Sequence, residues 1–199
     1  MFFPNTFVDA LADYESARYV IFGVPFDNTS SYRAGSRWAP DAMRQASANF
    51  ESYNPTFDID LADLLIHDAG NLDTSASVDE TLQDLYEDTK DLLSDGKLPI
   101  MLGGEHSLSF ATVKACAESA GDDFGVLVLD AHFDLRDGYR GFKHNHACVS
   151  RNILSEATKN LLSIGIRSGP EDECCLLYTS PSPRDLIAHR VCRLLLVKG

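Results

Sequence analysis

Residues 124–134, FGVLVLDAHFD, decide the fold of this chain. The first six residues form an apolar run whose length and composition predict a buried strand. Asp130, His132 and Asp134 follow the run directly, and alternation at a strand end predicts that their side chains converge on one side. Two carboxylates and an imidazole favour a divalent-ion site. A solvated turn rich in Asp and His is the simpler alternative for this motif on its own.

Similar apolar runs recur along the chain, separated by segments with helical patterns. We predict further strands at residues 19–22, 64–66, 98–102 and 161–166, and helices at 40–49, 78–94, 108–119 and 147–157. Strands that alternate with helices predict an α/β fold with a parallel sheet covered on both faces. In such sheets, ligands bind beyond the carboxyl ends of the strands.

A second polar cluster, GGEHS at residues 103–107, follows the predicted strand 98–102. Its glycines permit a tight turn, and His106 then emerges at the same edge of the sheet as the DAHFD motif. Alone, His106 is more simply explained as a hydrogen-bonded loop histidine. The two clusters together place His and Asp side chains at successive strand ends, which favours metal binding.

Two other segments carry candidate functional side chains. In HNHA, residues 144–147, one or both histidines are suited to carry protons, although for His144 we expect a capping or surface role. Residues 23–44 are dense in Gly, Pro and Arg, which is typical of an ordered loop near an active site or subunit contact. For Arg33 and Arg37 we expect local ion pairs rather than pairs with another subunit.

The bulk composition excludes several classes of protein. The 199 residues suffice for one sizeable domain, and the net charge of −13 disfavours nucleic-acid and anionic-membrane surfaces. An acidic balance suits a cationic substrate or metal ions, and equally a solvated surface. The N-terminus lacks a signal-peptide pattern, no apolar stretch is long enough to span a membrane, and the five cysteines lack CxxC spacing. We therefore expect a cytoplasmic protein with free thiols.

The rhythm of strands and helices breaks near the C-terminus. Residues 175–185, CLLYTSPSPRD, resemble the translation of a sequencing-library adapter, and residues 191–196, VCRLLL, resemble a second adapter stretch in the same frame. We therefore expect one domain at residues 1–173 and a non-native tail at 174–199.

Four motifs in order resemble the ureohydrolase family, which includes arginase, agmatinase and formimidoylglutamase. They are GVPFDNTSSYRAGSRWAPDAMR from residue 23, LGGEHS from residue 102, LDAHFDLRDGYRG from residue 129 and HNHACVSR from residue 144. The resemblance implies a three-layer α/β/α sandwich with a mainly parallel sheet. It also implies two manganese ions per subunit and assembly as a trimer or hexamer.

The same resemblance implies roles for individual residues. His106 and Asp134 would bind the first manganese, His132 the second, and Asp130 would bridge the pair. His146 matches the mobile catalytic histidine of the family. Glu105 matches an acidic position that helps hold the cluster.

The chain departs from the family in one large respect. A later DxDxxDP-type segment, which completes both metal shells, and a downstream substrate-binding glutamate are absent from this sequence. We therefore expect that the chain is truncated, binds metal poorly and does not turn over substrate.

The motifs DLRDGYRG and HNHAC look most like those of agmatinases. This implies hydrolysis of agmatine to putrescine and urea by the intact protein, with arginase, guanidinobutyrase or formimidoylglutamase activity as alternatives. A zinc deacetylase is a rival enzyme interpretation, and a non-catalytic regulatory or assembly homologue is an interpretation of another class. The chain has neither a P-loop nor a GxGxxG pattern, which argues against nucleotide binding.

Overall fold

The computed structural model describes residues 5–179 of the chain. Its internal contacts divide the chain into two compact units, Met1–Leu108 and Ser109–Gly199. Each unit contains parallel strands connected through helices, as the sequence predicts. Among the described residues, no helix has both the length and the apolar character needed to cross a membrane.

The strands of the first unit are β1 (Tyr19–Val24), β2 (Tyr53–Asn54), β3 (Ile59–Asp60), β4 (Ile66–Asn71) and β5 (Leu98–Gly103). Strands β4, β1 and β5 form a parallel sheet in that order, and β2 pairs with β3 in a short antiparallel hairpin. Strand β1 is the central strand of this sheet, and all its residues except Tyr19 are buried. The predicted strands at 19–22 and 98–102 are confirmed. The strand predicted at 64–66 begins only at Ile66, because a 3-10 turn at Leu61–Asp63 precedes it.

Two helices complete this unit, α1 (Ala39–Ser47) and α2 (Val78–Ser94). Helix α1 has Pro40 in its first turn, where the missing N–H costs nothing. Helix α2 begins after Ser77, whose hydroxyl accepts a hydrogen bond from the Glu80 N–H at 3.3 Å. Both helices agree with the prediction.

A buried ion pair fixes α1 against the end of β4. The guanidinium of Arg44 donates to both carboxylate oxygens of Asp68 at 2.8 Å, and the two side chains are at most 1% exposed. Arg44 also donates to Asn71 Oδ1 and to the Gly70 carbonyl. Burial acts to raise the pKa of Asp68, but Arg44 and two backbone N–H groups bring that pKa below its usual value. Because the charged groups of both side chains are hydrogen-bonded, these contacts offset the free-energy cost of burying the ion pair.

The second unit contains β6 (Val126–Leu129) and β7 (Leu161–Ile164), which pair in parallel. Its helices are α3 (Leu108–Ala120, whose first residue belongs to the first unit), α4 (Val149–Glu156) and α5 (Glu171–Thr179). The predicted strands and helices are confirmed, with α4 preceded by a 3-10 turn at His146–Cys148.

One face of β6 is exposed in the part of the chain that the structure describes. Leu127 is 59% exposed and Leu129 is 75% exposed. Within the described residues β6 is paired with β7 alone, and exposure alternates along the strand, so its exposed side chains share one face. Four cysteines, Cys116, Cys148, Cys174 and Cys175, are free thiols as expected. Cys192 and most of the predicted tail at 174–199 lie outside the described residues.

Candidate metal centre

The loop after β6 holds three of the predicted ligands. Asp130 and Asp134 are half-buried, and one carboxylate oxygen of each lies within 4.8 Å of the other. The His132 side chain is 59% exposed, with Nδ1 3.4 Å from Asp130 Oδ1. The backbone N–H of His132 donates to the same oxygen at 2.7 Å. These three residues therefore form one acidic cluster.

The predicted mechanism of convergence is wrong, although two carboxylates do converge. Strand β6 ends at Leu129, so alternation along a strand does not position the residues beyond it. Asp134 instead has a φ of 53°, in the left-handed region, and this bend turns the chain. Phe133 and Leu135 on either side of it are buried.

The segment after β7 holds the loop from one side. Asp130 N–H donates to the Ile164 carbonyl at 3.1 Å, and the Ala131 carbonyl accepts from the N–H groups of Arg167 and Ser168. Gly169 faces the ring of Phe133 so closely that a Cβ there would overlap it. The loop is therefore held through its backbone, which fixes where its carboxylates lie.

Glu173, which the sequence analysis did not single out, is buried behind this loop. Burial raises the pKa of its carboxyl above the ordinary value, against the opposing effects of the Leu135 N–H and Arg136. The sequence analysis predicted no helix at Glu171–Thr179, and a single acidic residue gives no sequence signal of such a contact.

The turn after β5 carries His106, which is half-buried. Its neighbour Glu105 is buried and accepts hydrogen bonds from the backbone N–H of Thr29 at 2.7 Å and from the Thr29 hydroxyl. The Ser107 hydroxyl also donates to Glu105, at 2.5 Å. The carboxylate of Glu105 therefore ties the turn to the loop that follows β1.

Gly104 brings the same two segments together through the backbone. The Glu105 N–H donates to the Phe26 carbonyl at 2.9 Å. A Cβ at Gly104 would lie inside van der Waals contact of that carbonyl oxygen. Glycine is required here for close approach rather than for an unusual φ.

The loop after β1 is closed by Asp27, which is buried. Its carboxylate accepts from the Gly35 N–H at 2.6 Å and from Arg37 Nε at 2.5 Å. The pKa of Asp27 is lowered, chiefly by the Arg37 side chain. The local ion pair predicted for Arg37 is confirmed, and Arg33 lies over the ring of Tyr32 at 5.3 Å.

The two histidines of HNHA occupy different surroundings in the second unit. His144 stacks on Phe110 with ring centroids 5.4 Å apart. Asn145 provides the cap, accepting from the Ala147 N–H at 3.0 Å. His146 packs edge-on against Tyr139 at 5.8 Å.

Comparison with known proteins assigns these motifs to a family. The sequence model that describes the arginase family matches residues 17–180 of this chain. The chain belongs to the arginase family. The ureohydrolase resemblance and the α/β fold of this family, both predicted from the sequence, are confirmed. Membership favours the ureohydrolase interpretation over the zinc deacetylase one.

Individual arginase-family members show which branch the chain resembles. It is 41% identical over 172 residues to an agmatinase of Pyrococcus horikoshii, covering 85% of this chain and 58% of that protein. It is 40% identical over 166 residues to an N(1)-aminopropylagmatine ureohydrolase of Thermococcus kodakarensis, covering 82% of this chain and 56% of that protein.

A solved structure points to the same branch. The agmatine ureohydrolase of Thermoplasma volcanium superposes with a TM-score of 0.82 and 41% identity, over 93% of this chain and 61% of that one. The chain thus spans less than two thirds of the length of these relatives. The roles of His106, Asp130, His132, Asp134, His146 and Glu105 stay predictions.

Proposed function

We propose that the intact protein hydrolyses a guanidino compound, and that agmatine, split into putrescine and urea, is its substrate. The observation that carries this is the 41% identity to an agmatinase over 172 residues. The net charge of −13 suits a dication. N(1)-aminopropylagmatine is a second candidate, because the relative named for it is 40% identical.

We further propose that the intact protein holds two manganese ions, through His106, Asp130, His132 and Asp134. The donor chemistry fits, since carboxylate and imidazole groups suit manganese, and the oxygens of Asp130 and Asp134 lie within 4.8 Å of each other. When bound, the pair of ions would activate the attacking water and stabilise the charge that develops at the guanidinium carbon.

Residues of the chain supply the remaining steps. His146 is the candidate proton donor to the departing amine, because a histidine side chain can both accept and donate a proton. Tyr139 packs against it and limits where the ring lies. Glu105 has a positioning role, because the three hydrogen bonds that its carboxylate accepts hold the turn that carries His106. Asp130 and Asp134 provide the negative charge that attracts cations.

The remaining proposals concern the chain itself and its assembly. The chain covers 58% of its agmatinase relative and lacks the DxDxxDP-type segment, so we propose that this polypeptide alone is inactive.

We propose a cytoplasmic trimer or hexamer for the intact protein. The exposed aromatic side chains of Tyr32 and Trp38 offer apolar surface to a second copy. Light scattering of the intact protein measures this directly.

Urea release tests the function. The intact protein, with and without manganese, is assayed on agmatine, N(1)-aminopropylagmatine, arginine and guanidinobutyrate. We expect manganese-dependent urea release, highest with agmatine, and its abolition in Asp130→Ala. Asp84→Ala, at an exposed position of α2, is the matched control and should retain full activity.

Two outcomes would contradict the proposal. Undiminished activity in Asp130→Ala removes this residue from the metal site. Absence of urea from every guanidino compound, by a folded and manganese-loaded protein, favours a non-catalytic homologue instead.

A further inference from the structure

Asp134, a proposed metal ligand, occupies an unusual backbone conformation. Its φ of 53° lies in the left-handed region, which is uncommon for residues with a Cβ, although less so for Asp, and neighbouring contacts help to hold it there. A ligand held this way depends on those contacts for the direction of its carboxylate. The groups that fix residues 134–136 therefore bear on the metal site.

Glu173 provides one such contact through both of its carboxylate oxygens. Oε2 accepts a hydrogen bond from the backbone N–H of Leu135 at 3.1 Å. Oε1 lies 3.3 Å from Nε of Arg136, and the Glu173 side chain is 4% exposed. The carboxylate thus binds the two residues that follow Asp134 directly.

Backbone contacts to α4 and the turn before it hold the same residues from another direction. The Asp134 carbonyl accepts from the Arg151 N–H at 3.2 Å, and the Arg136 N–H donates to the Ala147 carbonyl at 3.2 Å. These bonds fix the carbonyl of Asp134 and the N–H of Arg136. The N–H of Leu135 lies between them, is in a buried residue and is satisfied by Glu173.

We infer that Glu173 is a positioning residue for Asp134: by holding Leu135 and Arg136 it maintains the left-handed bend that aims the Asp134 carboxylate. The inference rests on the proposed function, because it takes Asp134 as a ligand. Glu173 lies 39 residues after Asp134 in the sequence and belongs to none of the four family motifs. Its carboxylate contacts the backbone beside the ligand and does not itself bind the metal.

Two variants of the intact protein separate the hydrogen bond from the charge. Glu173→Ala removes the acceptor and leaves a buried N–H unpaired, whereas Glu173→Gln keeps an oxygen able to accept from Leu135. Glu171→Gln is the matched control, since Glu171 lies exposed in the same helix. The readouts are manganese affinity, from the spectroscopic signal of the free ion, and amide hydrogen exchange in the metal-free protein.

We expect Glu173→Ala to weaken manganese binding about 10- to 100-fold, as loss of a group that orients a ligand does. Exchange at the Leu135 amide should accelerate, while the Val126 amide, bonded to the Asn160 carbonyl at 2.8 Å, should stay protected. Glu173→Gln should recover most of the affinity and protection. The control should match the parent protein.

Parent-like manganese affinity in Glu173→Ala would overturn the inference. So would equal acceleration at Leu135 and Val126, which indicates general loss of structure rather than a local release. The proposed function fails separately: a protein that binds manganese but releases no urea contradicts it, while the comparison of affinities remains a test of Glu173.

Discussion

The carboxylate of Glu105 accepts hydrogen bonds from both the backbone N–H and the hydroxyl of Thr29, 76 residues earlier in the chain. This pair connects the turn after β5 with the loop after β1. Both residues are buried, so their polar groups depend on each other. The turn that carries His106 is therefore fixed by a contact from Glu105 of the GGEHS motif to Thr29, which lies in neither the GGEHS nor the DAHFD motif.

Thr29→Val should destabilise the chain by about 1–3 kcal/mol, because it removes a donor to a buried carboxylate. Thr29→Ser keeps the hydroxyl and is the matched control, with a smaller loss. Urea unfolding followed by circular dichroism measures both. A loss in Thr29→Val no larger than the loss in Thr29→Ser would contradict the stabilising role of this hydroxyl hydrogen bond.

Gly104→Ala should cost about 1–3 kcal/mol or more, because the added Cβ forces the turn away from the Phe26 carbonyl. Gly125→Ala is the control, since its Cβ would lie at an ordinary 3.5 Å from the Asn160 carbonyl oxygen. Unfolding free energies of the two variants are compared with that of the parent chain. A parent-like Gly104→Ala would contradict the close approach.

The buried pair of Arg44 and Asp68 should make the free energy of unfolding decrease at low pH. Because the folded-state pKa of Asp68 lies below its usual value, its contribution is present above about pH 4, the unfolded value, and is lost as the pH falls through the folded pKa. Asp68→Asn should flatten that decline and cost about 3–5 kcal/mol near neutral pH, since Arg44 then lacks its charge partner.

Asp41→Asn is the control for this pair. The Asp41 side chain is 40% exposed and its oxygen lies 3.5 Å from Arg44 Nη1, so its loss should cost at most about 1 kcal/mol. Urea unfolding at a series of pH values gives both profiles. An unchanged acid profile in Asp68→Asn would remove this carboxylate as its cause.

Tyr139→Ala should lower kcat of the intact protein about 10- to 100-fold, because the ring of His146 loses the edge contact that orients it. Tyr139→Phe keeps the ring and should retain most of the activity. Steady-state urea release on agmatine measures both. Similar kcat values in the Ala and Phe variants would show that Tyr139 does not position His146.

The elements of this fold follow from local pattern, which is why they could be predicted. Helix α2 lies at the predicted residues because its cap at Ser77 and its apolar spacing are both written in neighbouring residues. The short pair β2 and β3 was not predicted, since strands of two residues carry no periodic signal.

The sequence by itself determined the family, the parallel strands and the two polar clusters at their ends, because each depends on residues close together in the chain. Tertiary structure alone decided how Asp130 and Asp134 converge, through a left-handed bend rather than strand alternation. It also decided that Thr29, Asp68 and Glu173 satisfy buried groups far away in sequence. Such partners are selected by packing, where a buried polar group must find whichever complementary group the fold brings beside it.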